Sequence, residues 1–119
     1  MDKFRPESFL PLTPVAFEIL LALADGERHG YSILQEVESR SGGAVSLHAG
    51  TLYRALARLL ENDLIEELDE SPEASNGDER RRYYRLTTRG IAVARAEVGR
   101  LEGQLSAART RRLLKSVRS

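Results

Sequence analysis

Residues 49–68 read AGTLYRALARLLENDLIEEL, and this stretch decides the fold prediction. Its first part carries leucines at helical spacing, namely Leu52, Leu56, Leu59 and Leu60. A helix over 49–62 is therefore expected to pack one side inward, while its opposite side has small and charged residues and no large apolar one. The last five residues, 64–68, form a short strand candidate. The stretch is therefore predicted to be one amphipathic helix followed by one strand, and the other elements are predicted around this unit.

A second strand candidate follows at 82–86, with the sequence RYYRL. The residues between the two strands, 71–78, hold Ser, Pro, Asn and Gly and indicate a turn or loop. Two strands joined in this way predict a β-hairpin with a long loop. Because side chains alternate along a strand, one of Tyr83 and Tyr84 is expected to face the core.

Two more helices are predicted upstream. Thr13 and Pro14 form a strong helix start, with Thr13 as N-cap, for a helix over 15–24. Another helix is expected over 30–41, before Gly42 and Gly43 break the chain. The first dozen residues place four large apolar side chains among prolines, which indicates an extended arm that covers apolar surface.

A long last helix is predicted from the cap residue Thr87 to about Val117. It carries apolar residues at alternating spacings of three and four, which form a heptad seam: Ile91, Ala94, Val98, Leu101, Leu105 and Ala108. A helix of about 30 residues spans about 45 Å, which is too long for a three-helix core to cover. The seam is therefore interpreted as a homodimer interface.

Composition excludes several classes of protein. With 119 residues, 41% hydrophobic and 30% charged, the chain suits a single soluble domain. It has no apolar run of about 20 residues and no apolar signal core at its start, so no membrane association is expected. The absence of cysteine favours a reducing, cytoplasmic compartment. Two histidines are too few for a transition-metal site, no cofactor is expected, and no catalytic motif indicates an enzyme.

Charge is balanced in sum and uneven along the chain. The 18 basic and 18 acidic residues count against a general nucleic-acid coat protein. Residues 69–79 contain five acidic side chains and no basic one, and Arg80, Arg81 and Arg82 follow at once. The basic residues of 104–119 suit the C-terminal end of a helix, where cations favour the helix dipole.

The predicted order of elements is that of a winged helix-turn-helix: three helices, a hairpin and a long helix. The fold class is mainly α with a small β-hairpin. Residues 1–86 are expected to form a DNA-binding domain with an N-terminal arm, and residues 87–119 a C-terminal dimerisation helix. In such a fold the third helix enters the major groove and the hairpin lies along the backbone.

Candidate DNA contacts follow from that placement. Gly50 and Thr51 let the backbone of the third helix approach DNA, while Arg54 and Arg58 reach phosphates or guanine edges. Two of the three wing arginines, 80–82, are expected to contact DNA, while the third pairs with Glu79 or Glu66. For three further residues, two roles stay open, DNA contact or an ordinary structural or surface role: Tyr31, His48 and Tyr53.

Three motifs together carry a family resemblance. HGYSI at 29–33, GTLYRAL at 50–56 and RYYRLTTRG at 82–90 resemble the PadR family of bacterial transcriptional regulators, over roughly residues 13–100. The short C-terminal helix resembles the smaller subclass of that family. The resemblance implies a homodimer joined through the C-terminal helix, binding to double-stranded operator DNA, and repression relieved by a small-molecule effector.

The chain also departs from the family pattern. His48 and Ala49 stand where members usually have Ser-Pro, so Ser46 or a water is expected to cap the recognition helix in place of histidine. Arg54 replaces a frequent proline and adds a cation to the expected DNA face. With no tryptophan, the chain lacks the residues between which some relatives stack planar drugs. The alternative function is a winged-helix protein-interaction module without DNA binding, which the neutral net charge and the acidic loop favour.

Overall fold

The computed structural model describes residues 3–44, 47–68 and 82–114. Within these ranges the elements are, in chain order, a 3-10 helix Pro6–Phe9, α1 Pro14–Leu23, β1 Arg28–His29, α2 Gly30–Arg40, α3 Ala49–Glu61, β2 Ile65–Leu68, β3 Tyr83–Leu86 and α4 Thr88–Thr110. This mainly helical architecture with a small antiparallel sheet confirms the predicted winged helix-turn-helix. The acidic segment 69–79, Arg80, Arg81 and Ser46 lie outside the described residues. None of the described helices is long and apolar enough to cross a membrane.

Side-chain caps fix where three of the helices begin. Thr13 Oγ1 accepts a hydrogen bond from the Ala16 amide (3.1 Å), and Thr87 Oγ1 accepts one from the Gly90 amide (3.0 Å). Both caps confirm the sequence prediction. The start of α2 is capped by His29, whose Nδ1 accepts a hydrogen bond from the Ser32 amide (3.2 Å). A side-chain cap of this kind contributes about 1 kcal/mol to helix stability.

The helices α2, α3 and α4 end in the same way. In each, the residue after the C-cap has a positive φ: Gly42 (63°), Asp63 (62°) and Arg112 (62°). In α4 the Arg112 amide donates to Arg109 O and the Leu113 amide to Ala108 O, which is the Schellman pattern. This ending corrects the prediction that α4 reaches Val117. The sequence pattern did not predict this end of the helix, because the residue in the left-handed conformation is an arginine and not a glycine.

The sheet has three strands, in the order β1-β3-β2, where the sequence predicted a two-stranded hairpin. The hairpin itself is present, with Glu66 opposite Arg85 and Ile65 opposite Leu86. The third strand, β1, pairs with β3 through Arg28 and His29. Two residues are too few to show a period of two, so this pairing could not be seen in the sequence pattern.

The core lies where α1, α2, α3, the sheet and α4 meet. Its buried side chains include Ile19, Leu20, Leu23, Ile33, Val37, Leu52, Leu56, Leu59, Tyr84 and Val93. Three of the four leucines predicted to face inward from α3 are buried, and Leu60 is partly buried. Tyr84 is the strand tyrosine that faces the core, while Tyr83 is partly exposed.

The N-terminal arm, residues 3–12, covers apolar surface as predicted, but it contains a turn of 3-10 helix and is not fully extended. Its apolar side chains pack against the core, and the guanidinium of Arg89 in α4 lies 4.6 Å from the centre of the Phe4 ring. The Leu12 amide donates a hydrogen bond to Glu97 Oε2 (3.4 Å). The arm is thereby attached to α4.

The start of α4 lies against the turn between α3 and β2. The Thr87 amide donates to Leu64 O (3.1 Å), and the Thr87 hydroxyl donates to Asp63 O (2.6 Å). A Cβ atom on Gly90 would lie 1.9 Å from Leu64 O, so only glycine fits there. This junction sets the direction in which α4 leaves the helices and the sheet.

Candidate nucleic-acid interface

The helix α3 packs against α1, α2 and β2 and leaves one face open. Leu52, Leu56 and Leu59 are buried, while Gly50, Arg54 and Arg58 are exposed. The predicted division of this helix into a packed side and an open side is confirmed.

The beginning of α3 is open to an approaching anion. His48 has the extended conformation of an N-cap, yet its side chain caps no amide in the described part of the chain. His48, Ala49 and Gly50 are exposed, and Thr51 is partly exposed. The first amides of a helix lack intrahelical partners and carry a partial positive charge, which is the arrangement that binds phosphate. The proposed alternative cap, Ser46, lies outside the described residues.

Arg54 and Arg58 are long cations on the open face of α3. Arg54 lies over the first turn of the helix, with Nη1 3.6 Å from the position that a Cβ on Gly50 would take. Neither guanidinium group is hydrogen-bonded or ion-paired to any other described residue. Both guanidinium groups are therefore available to an external acceptor.

The residues of the three sequence motifs contact one another. Tyr53 of α3 lies across the first turn of α2, where a Cβ on Gly30 would be 2.4 Å from its hydroxyl oxygen. His29, which caps α2, packs edge-on against the Tyr83 ring of β3, with 5.5 Å between ring centres. These contacts fix α3 relative to α2 and the sheet. Tyr53 keeps 50% of its surface exposed and Tyr31 keeps 62%, so both also reach solvent on this side.

The described wing residues carry arginines that already have acidic partners. Arg82 Nε lies 3.3 Å from Glu67 Oε2, so this wing arginine has neither Glu66 nor Glu79, the two partners named from the sequence, as its described partner, while Glu79, Arg80 and Arg81 lie outside the described residues. Glu66 instead accepts a hydrogen bond from Arg85 Nε (2.6 Å), and this contact raises the pKa of Arg85. The register explains the difference, because Glu66 lies opposite Arg85 and Glu67 opposite Tyr84. Arg85 was not among the predicted site residues, although the alternation of the strand places it outward.

Two charged side chains lie beside the Tyr84 hydroxyl. Burial raises the pKa of the Tyr84 hydroxyl, and the Glu67 carboxylate raises it further. Arg82 hydrogen-bonds the same tyrosine and acts in the opposite direction. Arg82, Glu67 and Tyr84 thus form one polar cluster at the foot of the wing.

The seam residues of α4 lie in two kinds of surroundings. Ile91, Val98 and Leu105, spaced seven residues apart, are about 40% exposed each. Ala94, Leu101 and Ala108 are partly buried, and Ala94 packs against the core of its own protomer. The buried face of α4 is a different one, formed by Gly90, Val93 and Glu97, which the heptad analysis did not identify.

The elements define a winged helix-turn-helix protein whose third helix presents an open, cationic face. The model of the transcriptional regulator PadR-like family matches residues 19–96, and the chain belongs to this family. The resemblance drawn from the three motifs is thereby confirmed.

Solved structures of transcriptional regulators share this fold, and two curated proteins are similar in sequence. A transcriptional regulator from Clostridium thermocellum is 28% identical with a TM-score of 0.65, over 85% of this chain and 90% of that one. Bacillus subtilis PadR in complex with operator DNA is 21% identical with a TM-score of 0.61, over 76% and 48%, and shows the fold alone. An uncharacterised Lysinibacillus sphaericus protein is 34% identical over 62% of this chain. The chain spans 65% of that protein. A Streptomyces fradiae transposon protein is 38% identical over 73% of this chain, and the chain spans 24% of its length.

Proposed function

We propose that this chain is a cytoplasmic homodimer that binds operator DNA sequence-specifically and represses transcription until a small molecule or a stress signal relieves it. In this proposal residues 1–86 form the DNA-binding domain, and the segment 87–119 forms the dimerisation unit through its helix α4 Thr88–Thr110. Support for DNA binding comes from the family and from a protein of the same fold, Bacillus subtilis PadR, whose structure contains operator DNA.

The observation that carries the proposal is the open face of α3. Among the described residues, it combines a helix start that no side chain caps with two arginines that have no acidic partner. Solubility alone does not require a free helix start and two unpaired arginines to lie together on one helix. A phosphate backbone beside a base edge is the ligand that needs both, because amides and cations position the helix and an arginine reads guanine.

A mobility-shift assay on the DNA upstream of the protein's own operon tests DNA binding. Arg54→Ala is expected to weaken binding to the specific fragment by about 1–3 kcal/mol and to reduce its preference over random DNA. Arg95→Ala removes the same charge from the exposed surface of α4 and is the matched control, with binding expected to be unchanged. Equal weakening on specific and random DNA would place Arg54 on phosphate. A wild-type protein that binds no duplex would favour the protein-interaction module instead.

The exposed seam of α4 supports the proposed dimer. Ile91, Val98 and Leu105 form an apolar line along the outer face of the helix. A partner helix with the same line would cover it, and two-fold symmetry makes a surface of this kind self-complementary. The two α3 helices of such a dimer would read half-sites about 34–36 Å apart.

A further inference from the structure

The two faces of the sheet carry different charged pairs. Side chains alternate along a strand, and residues opposite one another on paired strands point to the same face. Tyr84 is buried in the core, so Glu67, which lies opposite it, is on the core-facing side. Arg85 and Glu66 lie opposite one another and are exposed on the outer side. Because the packed leucines of α3 belong to the same core as Tyr84, the core-facing side of the sheet is also the side of α3.

Arg82 belongs to the core-facing side. It lies two residues before Tyr84, which places both on one face, and its side chain hydrogen-bonds the Tyr84 hydroxyl. Its Nε atom lies 3.3 Å from Glu67 Oε2. The Arg82 side chain is nevertheless 71% exposed. Arg82 is thus a cation open to solvent whose guanidinium is held from one side by a buried residue.

The two partners of Arg82 differ in what they leave available for DNA. Glu67 is an anion, so it competes with a phosphate for the guanidinium. The Tyr84 hydroxyl is uncharged at neutral pH, because burial raises its pKa above the ordinary 10.0 and Glu67 and then Tyr53 raise it further. A neutral oxygen accepts from one of the five guanidinium N–H groups and leaves the others to a phosphate. Tyr84 can therefore keep its contact with Arg82 while DNA is bound, whereas Glu67 opposes the phosphate.

We propose that Tyr84 is a positioning residue for DNA binding, whose hydroxyl holds the Arg82 guanidinium on the α3 side of the sheet, where a phosphate beside the recognition helix meets it. This role rests on the proposed function, in which Arg82 contacts DNA. A side chain that is already ordered before binding loses less conformational entropy when the complex forms. Loss of the hydroxyl is therefore expected to weaken DNA binding by about twofold to tenfold.

The contact between Tyr84 and Arg82 is tested in the free protein by NMR of the arginine Nε–H groups. Tyr84→Phe keeps the ring in the core and removes only the hydroxyl. It is expected to speed the solvent exchange of the Arg82 signal and to move it, while Tyr83→Phe removes a hydroxyl from the other face of β3 and should leave the signal in place. An Arg82 signal that Tyr84→Phe does not change would overturn the proposal.

A second measurement needs no change in the core. The wild-type Arg82 Nε–H group is expected to exchange more slowly than those of Arg54 and Arg58, whose guanidinium groups have no described partner. Equal exchange at the three arginines would show that nothing holds Arg82 in solution, and this result would also overturn the proposal.

The role in binding is tested by a double-mutant cycle on the DNA upstream of the protein's own operon. Tyr84→Phe is expected to weaken binding about twofold to tenfold in the wild type and to have no effect when Arg82 is already replaced in Arg82→Gln, because it acts through that guanidinium. Tyr83→Phe is again the matched control and should leave the affinity unchanged. Equal weakening by Tyr84→Phe in both backgrounds would show a structural effect of the buried tyrosine, and an unchanged affinity in the wild type would show no effect. Either result would overturn the positioning role.

The two kinds of measurement separate this proposal from the proposed function. A wild-type protein that binds no duplex would overturn the proposed function and, with it, the role of Tyr84 in binding. The NMR comparison would still decide whether Tyr84 holds Arg82, because it uses the free protein. A protein that binds DNA well but shows no change at Arg82 in Tyr84→Phe would overturn the positioning role alone.

Discussion

At the scale of single residues, glycines at different positions have different physical reasons. Gly30 leaves room for the Tyr53 ring and Gly90 for the backbone of Leu64, so both permit close contacts between elements. Gly99 of α4 has open space around it, and a Cβ there would meet nothing within 4 Å. The same residue type is thus required at one position of α4 and merely tolerated at another.

Gly90→Ala is expected to lower the free energy of unfolding by about 1–3 kcal/mol or more, because the new Cβ meets a backbone oxygen that cannot rotate away. Gly99→Ala is the matched control in the same helix and should raise it by up to about 1 kcal/mol through helix propensity. Urea unfolding at a fixed protein concentration measures both. If the two variants shift the midpoint alike, the close contact at Leu64 does not exist in solution.

Glu97 gives the fold a dependence on pH. It is buried, it accepts hydrogen bonds from Arg100 Nε (2.7 Å) and Nη2 (2.8 Å), and the contact with Arg100 lowers its pKa from the ordinary 4.5. A carboxyl whose pKa is lower in the folded state stabilises the fold fully above about pH 4.5 and loses that contribution as pH falls through the lowered pKa.

Glu97→Gln is expected to be less stable than wild type at neutral pH and to lose less stability on acidification below pH 4.5. Thermal unfolding followed by circular dichroism across that range measures the difference. Glu102→Gln changes an exposed carboxyl of the same helix and should follow the wild-type curve. Parallel curves for Glu97→Gln and wild type would show that Glu97 does not titrate differently on folding.

At the scale of elements, the wing combines cations with their own counter-ions. Arg82 pairs with Glu67 and Arg85 with Glu66, so both arginines already have acidic partners in the absence of DNA. All four side chains are more than a third exposed, so the pairs hold the arginines only weakly. A DNA phosphate would have to displace the glutamates, which reduces attraction to duplex of any sequence.

Glu67→Gln is therefore expected to strengthen binding to random DNA and to steepen its salt slope by about 0.9, because Arg82 is released to a phosphate. Glu66→Gln removes the same charge but leaves Arg85 with Glu27, whose Oε2 lies 3.9 Å from Arg85 Nη1, so a smaller change is expected. Fluorescence anisotropy on random duplex over a salt series measures both. If neither variant changes the slope, the wing does not contact the DNA backbone.

The boundaries of most elements could be predicted because local chemistry determines them. Thr13 and Thr87 predict helix starts because threonine is a preferred N-cap residue. The spacing of the leucines predicts the packed face of α3. The strand β1 and the Arg82–Glu67 pair depend on how distant segments align, and no local period reports that alignment. The same limit applies to a pocket of about 190 Å³ between the N-terminal arm, α1 and α3, since Phe9, Ala16 and Ala55 come from three segments that only the fold brings together.

At the scale of the whole molecule, α4 joins two surfaces. Its first half is held by the arm, by α1 and by the α3–β2 turn, through Val93, Glu97 and Gly90. Its second half extends past the core, and residues 102–107 are all exposed. A helical segment that contains Gly103 and buries no side chain fully among the described residues has little stability of its own. The second half therefore needs a partner, which the proposed dimer supplies.

The assembly prediction uses the two faces of this helix. Val98→Asp combined with Leu105→Asp is expected to give a folded monomer, because both side chains are exposed in the protomer and burying each at an interface contributes about 1.5–3 kcal/mol. Val93→Asp places the same charge on the buried face and is expected to unfold the chain, since Val93 is 0% exposed. Light scattering reports mass and circular dichroism reports folding. A double variant that stays a folded dimer would show that the interface does not use the line of Ile91, Val98 and Leu105. The exposed Leu21 of α1 would then be the next residue to test.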